Sequence, residues 1–552
     1  MAFAKVTDRY SIEAIDEFYA TGQWRSETLF DLLSGHAAAT PDRVFLTDDH
    51  RSLTFGELRD QAIAFAGGLR ARGIGAGDRV SVQVPNWVEF AVIAVALQRL
   101  GAIMVPIMPI YRDDDVAYIV DNAGVRLAIT SQTFKKFDYA AMYGRIRETV
   151  SAIEDVVVVR GETPGQGFTA YADVVADGAG ATDESLGEKF GPDEPVVIVY
   201  SSGTTSRPKG CLHTFNTLAC GSRLLAKAWA ITQDDVQFGP SPITHTTGLV
   251  TSIILPMMHG AASHVMESWV PEAGAQQIQE HRCTVAVTAT TFLQTLLDAY
   301  DPQRHDLTSL RLWTCAGSPI PASIIERAAV ELPTLKVLSL YGRTENVTTT
   351  MCTIDDPVER SLTSDGRVLP FQQVRIIDGS GHEVPRGEEG DIAYKGAMHM
   401  LEYINNPTET AALFTEDGFS RSGDLGTMDA DGFVRVTGRT KDIVIRGGMN
   451  ISVRHVEDLL SKHPAVSQVA AVGMPDERLG EKVCLYLVPT EQGTGLTLDD
   501  VRDYLLGEGL AIQKVPERLE IVEGLPMTAT GKVQKHVLRS MIKERIAAEQ
   551  NA

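Results

Sequence analysis

The densest run of chemically capable side chains is Tyr200-Ser201-Ser202-Gly203-Thr204-Thr205-Ser206-Arg207-Pro208-Lys209-Gly210, directly after the apolar stretch Val196–Tyr200. A glycine-containing turn lets backbone N–H groups converge on an anion, and the hydroxyls of Ser201, Ser202, Thr204 and Thr205 add neutral donors around Gly203. Lys209 adds a point charge suited to phosphate. Phosphate binding is the chemistry these residues could do; the plainer alternative is a polar surface loop. The run is not a Walker A loop, which needs its lysine after Gly and before Ser or Thr, whereas Pro208 and Gly210 flank Lys209.

Six further segments follow in order. They are Pro242-Ile243-Thr244-His245-Thr246-Thr247-Gly248, Ala316-Gly317-Ser318-Pro319, Tyr341-Gly342-Arg343-Thr344-Glu345 and Ser422-Gly423-Asp424. After them come Gly438-Arg439-Thr440-Lys441-Asp442 with Arg446-Gly447-Gly448-Met449-Asn450, and Thr528-Ala529-Thr530-Gly531-Lys532. Together with the first loop, this ordered set resembles the signature motifs of the adenylate-forming (AMP-binding) superfamily, in its acyl-CoA synthetase branch. The resemblance spans roughly residues 30 to 545. Ser206 departs from it, standing where the family pattern usually has glycine.

The resemblance implies a role for each segment. Ser201, Ser202, Gly203, Thr204, Thr205 and Lys209 would hold the phosphates of ATP, and Ala316, Gly317 and Ser318 would wall the adenine. Tyr341, Gly342 and Thr344 would line the nucleotide site, with Glu345 as the Mg²⁺ carboxylate, since Mg²⁺ takes one or two carboxylates plus phosphate oxygens. Asp424 would accept hydrogen bonds from the ribose hydroxyls, and Arg439 would reach the ribose and phosphates. His245, Thr247, Gly248 and Cys315, with Gly317 and Gly342, would border the acyl pocket, although His245 also reads as a satisfied core histidine. Lys441 would be the hinge, and Arg446, Gly447 and Gly448 would line the channel for coenzyme A, where only glycine leaves room. Lys532, Glu345 and Lys209 would be catalytic. Lys535 and Arg539 read as a solvated helical face, and Pro256-Met257-Met258 as core packing.

The implied reaction has two halves: a carboxylate attacks the α-phosphate of ATP, giving acyl-AMP and pyrophosphate, and the coenzyme A thiol then takes the acyl group. No general base is needed for the first half, because a carboxylate of pKa about 4 is ionised at pH 7. The site must instead neutralise and align charge at phosphorus. Alternatives are transfer to a separate carrier protein and a nucleotide-binding protein without catalysis; a luciferase-like oxygenase has no feature in its favour. No Lys or Arg occurs in His245–Gly248, Thr288–Phe292, Cys315–Gly317 or Leu340–Gly342, which favours a hydrophobic acid. Gly239, in Phe238-Gly239-Pro240-Ser241, stands where amino-acid adenylation domains usually carry an ammonium-binding Asp, and Asp234 and Asp235 fall in a turn.

These motifs need rigid elements behind them. From Leu53 to Thr130 helix-like and strand-like patterns alternate: strand Arg79–Val84, helix Trp87–Leu100, strand Ala102–Ile107, helix Asp113–Asn122 and strand Val125–Thr130. The rhythm returns from Val196 to Ala289, and it predicts parallel α/β sheets. Asp173–Asp193, rich in Gly, Ala and Asp, reads as an exposed connection. After Val374, short strands and Gly/Asp turns predict a β-rich subdomain at about 375–440. The expected division is a large domain 1–440, carrying the ATP and acyl sites, and a small mobile α/β domain 441–552 carrying Lys532.

A chain of 552 residues with 44% hydrophobic and 22% charged residues is globular and large enough for about two to four domains. Its net charge of −22 disfavours nucleic-acid and anionic-membrane partners. Nearly all of that excess falls before residue 441. The six cysteines are scattered without a zinc pattern and read as reduced thiols, and the N-terminus has no signal-peptide core. A cytoplasmic enzyme with small-molecule partners is expected, a homodimer being left open.

Overall fold

The short loop after Tyr200 cannot make a crossover, so the strands it joins must run antiparallel. In the computed structural model, which describes residues 3–163, 165–201, 207–317, 320–447, 449–490, 493, 495–528 and 532–550, Pro195–Tyr200 and Gly210–Thr214 pair in that way. Longer helical connections elsewhere permit parallel pairing. Ile103–Pro106, Arg79–Gln83, Leu127–Ser131 and Asp155–Val159 run parallel beside Pro195–Tyr200 in an eight-stranded sheet. A nine-stranded sheet has Lys336–Tyr341, Leu312–Ala316, Val285–Thr288, Val236–Gly239 and Ala262–Val265 parallel at its centre, with antiparallel strands beyond Lys336–Tyr341. The sheets are therefore mixed: the parallel pattern holds in their middles, and hairpin neighbours end it.

One apolar core joins both sheets. Val80, Leu127 and Val197 of one and Val285, Leu312 and Leu338 of the other belong to the same cluster. Every residue of helix Val88–Arg99 is buried within it, which explains why that segment is apolar on all sides. The two charges it cannot expose are paired: Glu89 with Arg160 at 2.8 Å, and Arg99 with Asp183 at 2.6 Å. Arg99 also donates to the carbonyls of Asp183, Gly187 and Glu188. The connection Asp173–Asp193 is mostly exposed, as its composition suggests, yet it is pinned to the core at this point and contains the end of helix Tyr171–Asp177 and the turn Glu184–Leu186.

Gln373–Ile377, Gly390–Lys395, Ser420–Met428 and Val434–Arg439 form a four-stranded antiparallel sheet. After it the chain builds a small α/β domain with its own core, including the long hairpin Val466–Asp476 and Gly480–Pro489 and the helix Val453–Leu460. Lys535 and Arg539 are not a solvated face: Lys535 pairs with Glu457 at 2.7 Å, and Arg539 pairs with Asp442 and donates to the Lys441 carbonyl at 3.2 Å. Met257 is buried core, as its neighbourhood implies. Among the described residues no helix is long and apolar enough to cross a membrane.

Candidate active site

In open α/β sheets ligands sit outside the carboxyl ends of parallel strands. Strand Leu312–Ala316 ends at Gly317, and Lys336–Tyr341 leads into Gly342–Glu345. A cavity of about 380 Å³ lies between these strand ends and the small domain, with Gly317, Tyr341, Gly342, Asp424, Arg439 and Lys532 in its wall. Six residues separated by up to 215 positions in the chain thus share one cleft.

Lys532 is positioned by a local fold-back: its N–H donates to Thr528 Oγ1 at 3.0 Å, and the Thr528 N–H donates to the Lys532 carbonyl at 2.7 Å. Its side chain passes directly over Gly317, where a Cβ would stand 2.6 Å from Lys532 Cε. Gly317 also has φ +80°, the left-handed region that favours glycine. Gly317→Ala is therefore expected to push Lys532 aside; a misplacement near 1 Å costs about 10²-fold in rate. Pyrophosphate release by a variant whose thermal unfolding stays close to wild type checks this.

Burial lowers the Lys532 ammonium from its ordinary 10.5 to about 8, Arg439 adds to the depression, and Asp424 and Glu345 partly oppose it. Asp424 is buried, accepting from Tyr341 Oη at 2.6 Å and from Arg439 Nε at 2.8 Å. Glu345 lies below the usual carboxylate range: burial pushes it up, but Arg343 and a hydrogen bond from Tyr403 Oη at 2.5 Å outweigh that. A carboxylate held ionised fits a divalent cation that takes its other ligands from phosphate and water. The Thr344 carbonyl meets His213 Nε2 at 2.8 Å, and burial drops that ring to about 4, so it is neutral. In Gly342 a Cβ would fall 2.0 Å from the Val347 carbonyl, so the strand end tolerates only glycine there.

Lys209 pairs with Glu409, lies 5.1 Å from the Tyr403 ring centroid, and is lowered by burial and by the nearby Lys441. Its carbonyl accepts from the Ser201 N–H at 2.9 Å, closing the base of the loop. Ser202, Gly203, Thr204, Thr205, Ser318 and Gly448 lie outside the described residues. His245 caps a helical turn by accepting from the Thr247 N–H at 3.3 Å; burial and the charge of Lys532 lower its ring to about 3. Beyond it Leu249–Ile254 is wound as a π-helix, since Pro256 has no N–H for the Ser252 carbonyl and its ring crowds that position. Gly248 packs its α-carbon against the Pro242 carbonyl, where a Cβ would lie 2.2 Å away, and Cys315 is buried in the strand beside Ala316.

Gly239 is closely packed: a Cβ there would meet Ser252 Oγ at 2.4 Å and the Val265 side chain at 3.1 Å, so a larger residue requires Ser252 to turn aside. Asp235 directly precedes the strand Val236–Gly239, at the end of the turn expected there: it accepts from the Thr232 N–H at 2.9 Å and from Thr284 Oγ1 at 2.6 Å, and pairs with Arg311 at 2.8 Å. Arg446 pairs with Glu517 at 2.6 Å, and Gly447, with φ +57°, donates to the Leu479 carbonyl. Neither lines the cavity that holds Lys532. Lys441 begins no strand; it lies in the turn Thr440–Asp442 between the antiparallel sheet and the small domain.

Three contributors carry no motif signal of their own. Arg343 occupies the variable position of Tyr-Gly-x-Thr-Glu and donates to Ser420 Oγ and the Arg421 carbonyl, each at 3.0 Å. Tyr403 and Glu409 lie 58 and 64 residues beyond Glu345, and only the fold sets them against Glu345 and Lys209.

Comparison with known proteins agrees with this geometry. The family described as AMP-binding enzyme matches residues 33–404, and that described as AMP-binding enzyme C-terminal domain matches 455–532. The medium-chain fatty-acid–CoA ligase of Escherichia coli K12 is 31% identical, over 99% of this chain and 96% of that protein. The 2,3-dihydroxybenzoate-AMP ligase of Bacillus subtilis 168 is 29% identical, over 97% of each chain. The crystal structure of the anthranilate CoA ligase AuaEII with anthranoyl-AMP superposes with a TM-score of 0.86 at 25% identity, covering 95% of this chain and 98% of that one. The chain belongs to the AMP-binding enzyme family, as an adenylate-forming ligase with a large N-terminal and a small C-terminal domain.

Proposed function

We propose that the protein is an ATP-dependent acyl-CoA ligase for a hydrophobic carboxylic acid, with its division between large and small domains near residues 440 and 441. The observation that carries the reading is the seat of Lys532 over Gly317, beside Asp424 and Arg439. A cation there meets the charge that develops when a carboxylate attacks phosphorus. Asp424 would orient the ribose, with Arg439 reaching the phosphates. The Ser201–Lys209 loop would cradle them, Lys209 exchanging Glu409 for phosphate. Glu345 would hold Mg²⁺, which would neutralise phosphate charge. Neutral His245 and Gly248 would border the acyl group.

Arg446 and Gly447 would serve the second half-reaction, after the small domain turns about Lys441 and withdraws Lys532. Such rotations gate turnover. The medium-chain fatty-acid–CoA ligase relative supports coenzyme A as acceptor, and the close packing at Gly239 supports an acid without an ammonium group. The relative named for aryl-AMP formation favours a second reading, transfer to a separate carrier protein.

Carboxylate-dependent pyrophosphate release, with and without coenzyme A, separates these readings. A hydrophobic acid is expected to give pyrophosphate and a CoA thioester. Pyrophosphate without thioester would favour the carrier protein, and no pyrophosphate with any acid would refute both.

A further inference from the structure

A second cavity of about 490 Å³ shares no lining residue with the cleft. It lies between the segment Thr21–Leu32, helix Phe215–Ala228 and the end of helix Leu255–His259, with Pro370 and Phe371 at its rim. Its charged lining reverses the sign of the protein: Arg25, Arg223 and Lys227 face it with Glu27 as the one carboxylate, in a chain of net charge −22. Among the described residues none of these four takes part in an ion pair within 4.0 Å. Arg223 donates through Nη1 to the Gln23 carbonyl at 2.7 Å, while its buried Nε has no partner. Nε2 of His259 is likewise buried and unpartnered.

A buried guanidinium donor left unsatisfied is costly, and native interiors avoid it unless a ligand or water supplies the acceptor. Burial lowers Arg223 only to about 10, so it remains a cation at neutral pH; His259 is also held below its ordinary value, by burial and then by Arg25 and Arg223. Most of the rest of the wall is apolar, including Leu32, Leu224, Ile231 and Met258, with Thr21 and Gln23 as polar exceptions, and Phe371 is 62% exposed at the mouth. Forked and cationic donors together with aliphatic side chains in one wall match an amphipathic anion.

We propose that this cavity is a binding site, separate from the cleft, for a small organic anion: a carboxylate or phosphate headgroup on an apolar body, the headgroup held by Arg223, Arg25 and Lys227. The site does not depend on the acyl-CoA ligase reading.

Calorimetric titration of the full chain with octyl phosphate, octanoate and inorganic phosphate, in a saturating ATP analogue that cannot be cleaved at the α-phosphate, so that octanoate is not turned over in the cleft, tests this. One molecule of octyl phosphate or octanoate per chain is expected, binding at least about tenfold more weakly to Arg223→Gln, since a charge-assisted hydrogen bond is worth that much. Arg25→Gln with Lys227→Gln alters only exposed cations and should weaken binding in the same direction, so a folding defect in the Arg223 variant leaves the test intact. Saturable binding by one headgroup and not the other supports the site and identifies the headgroup. Absence of saturable binding overturns the proposal. So does equal affinity in all variants, or loss of binding in Lys532→Ala, which would put the probe in the cleft. Inorganic phosphate binding as tightly as octyl phosphate overturns the amphipathic class.

Discussion

Lys532→Ala is expected to reduce pyrophosphate release by about 10²–10³-fold, the usual cost of removing one placed electrostatic donor. Thioester formation from supplied acyl-AMP should be largely preserved. The asymmetry follows from the geometry: the ammonium reaches the cavity only where the small domain packs over Gly317, whereas Arg446 and Gly447 lie elsewhere. Single-turnover measurement of the two halves checks it; equal loss in both would refute the division of labour. In the wild type, pH gives the same information. The cation is fully present below pH 8 and is lost as pH rises through about 8, so kcat/KM for ATP should be flat below that value and fall above it. Bound phosphates favour the charged form, so the fall in kcat should lie at higher pH. Stability moves oppositely: the unfolded chain binds more protons between about 8 and 10.5, so Lys532 becomes less costly to the fold as pH rises through that window.

Asp424→Asn is expected to lower kcat/KM for ATP by about 10²-fold, the usual cost of removing one placed electrostatic group from an active site. Tyr341 Oη donates to one carboxylate oxygen and Arg439 Nε to the other, so the amide keeps an acceptor for only one of them. Arg439, beside Lys532, then loses its main counter-charge and keeps Asp442, and since Asp424 raises the lysine, its removal should move the alkaline fall in kcat/KM below the wild-type position. A variant with reduced rate but an unmoved pH profile would show that Asp424 does not act on Lys532. Glu345, held ionised chiefly by Arg343 against burial, is the control carboxylate, since it too raises Lys532 but through a different set of partners.

Legibility in the sequence followed how local each feature was. Helix Val88–Arg99 and the strands around it were visible because periodicity is a property of neighbouring residues, and the observed bounds fall within two residues of the expected Trp87–Leu100. The segment Asp173–Asp193 is exposed as its composition implies, but its anchor is not legible locally, because it comes from Arg99, more than eighty residues before Asp183, whose buried guanidinium needs acceptors. Lys535 and Arg539 are paired rather than solvated for a like reason: their partners Glu457 and Asp442 lie on other elements. The parallel sheets expected from strand-helix alternation hold at the sheet centres, and antiparallel neighbours join them where a hairpin loop, rather than a helix, connects two strands.

The sequence by itself determined the family, through seven ordered motifs, and the α/β architecture, through alternating periodicities; both depend on residue type and spacing along the chain. The tertiary structure alone decided that Lys532 lies over Gly317 with its ammonium near pH 8, that Tyr403 donates to Glu345, and that Arg25, Arg223 and Lys227 converge on a second cavity. Desolvation and Coulomb energy depend on distance through space, and the chain sets those distances only after both sheets and the small domain have packed.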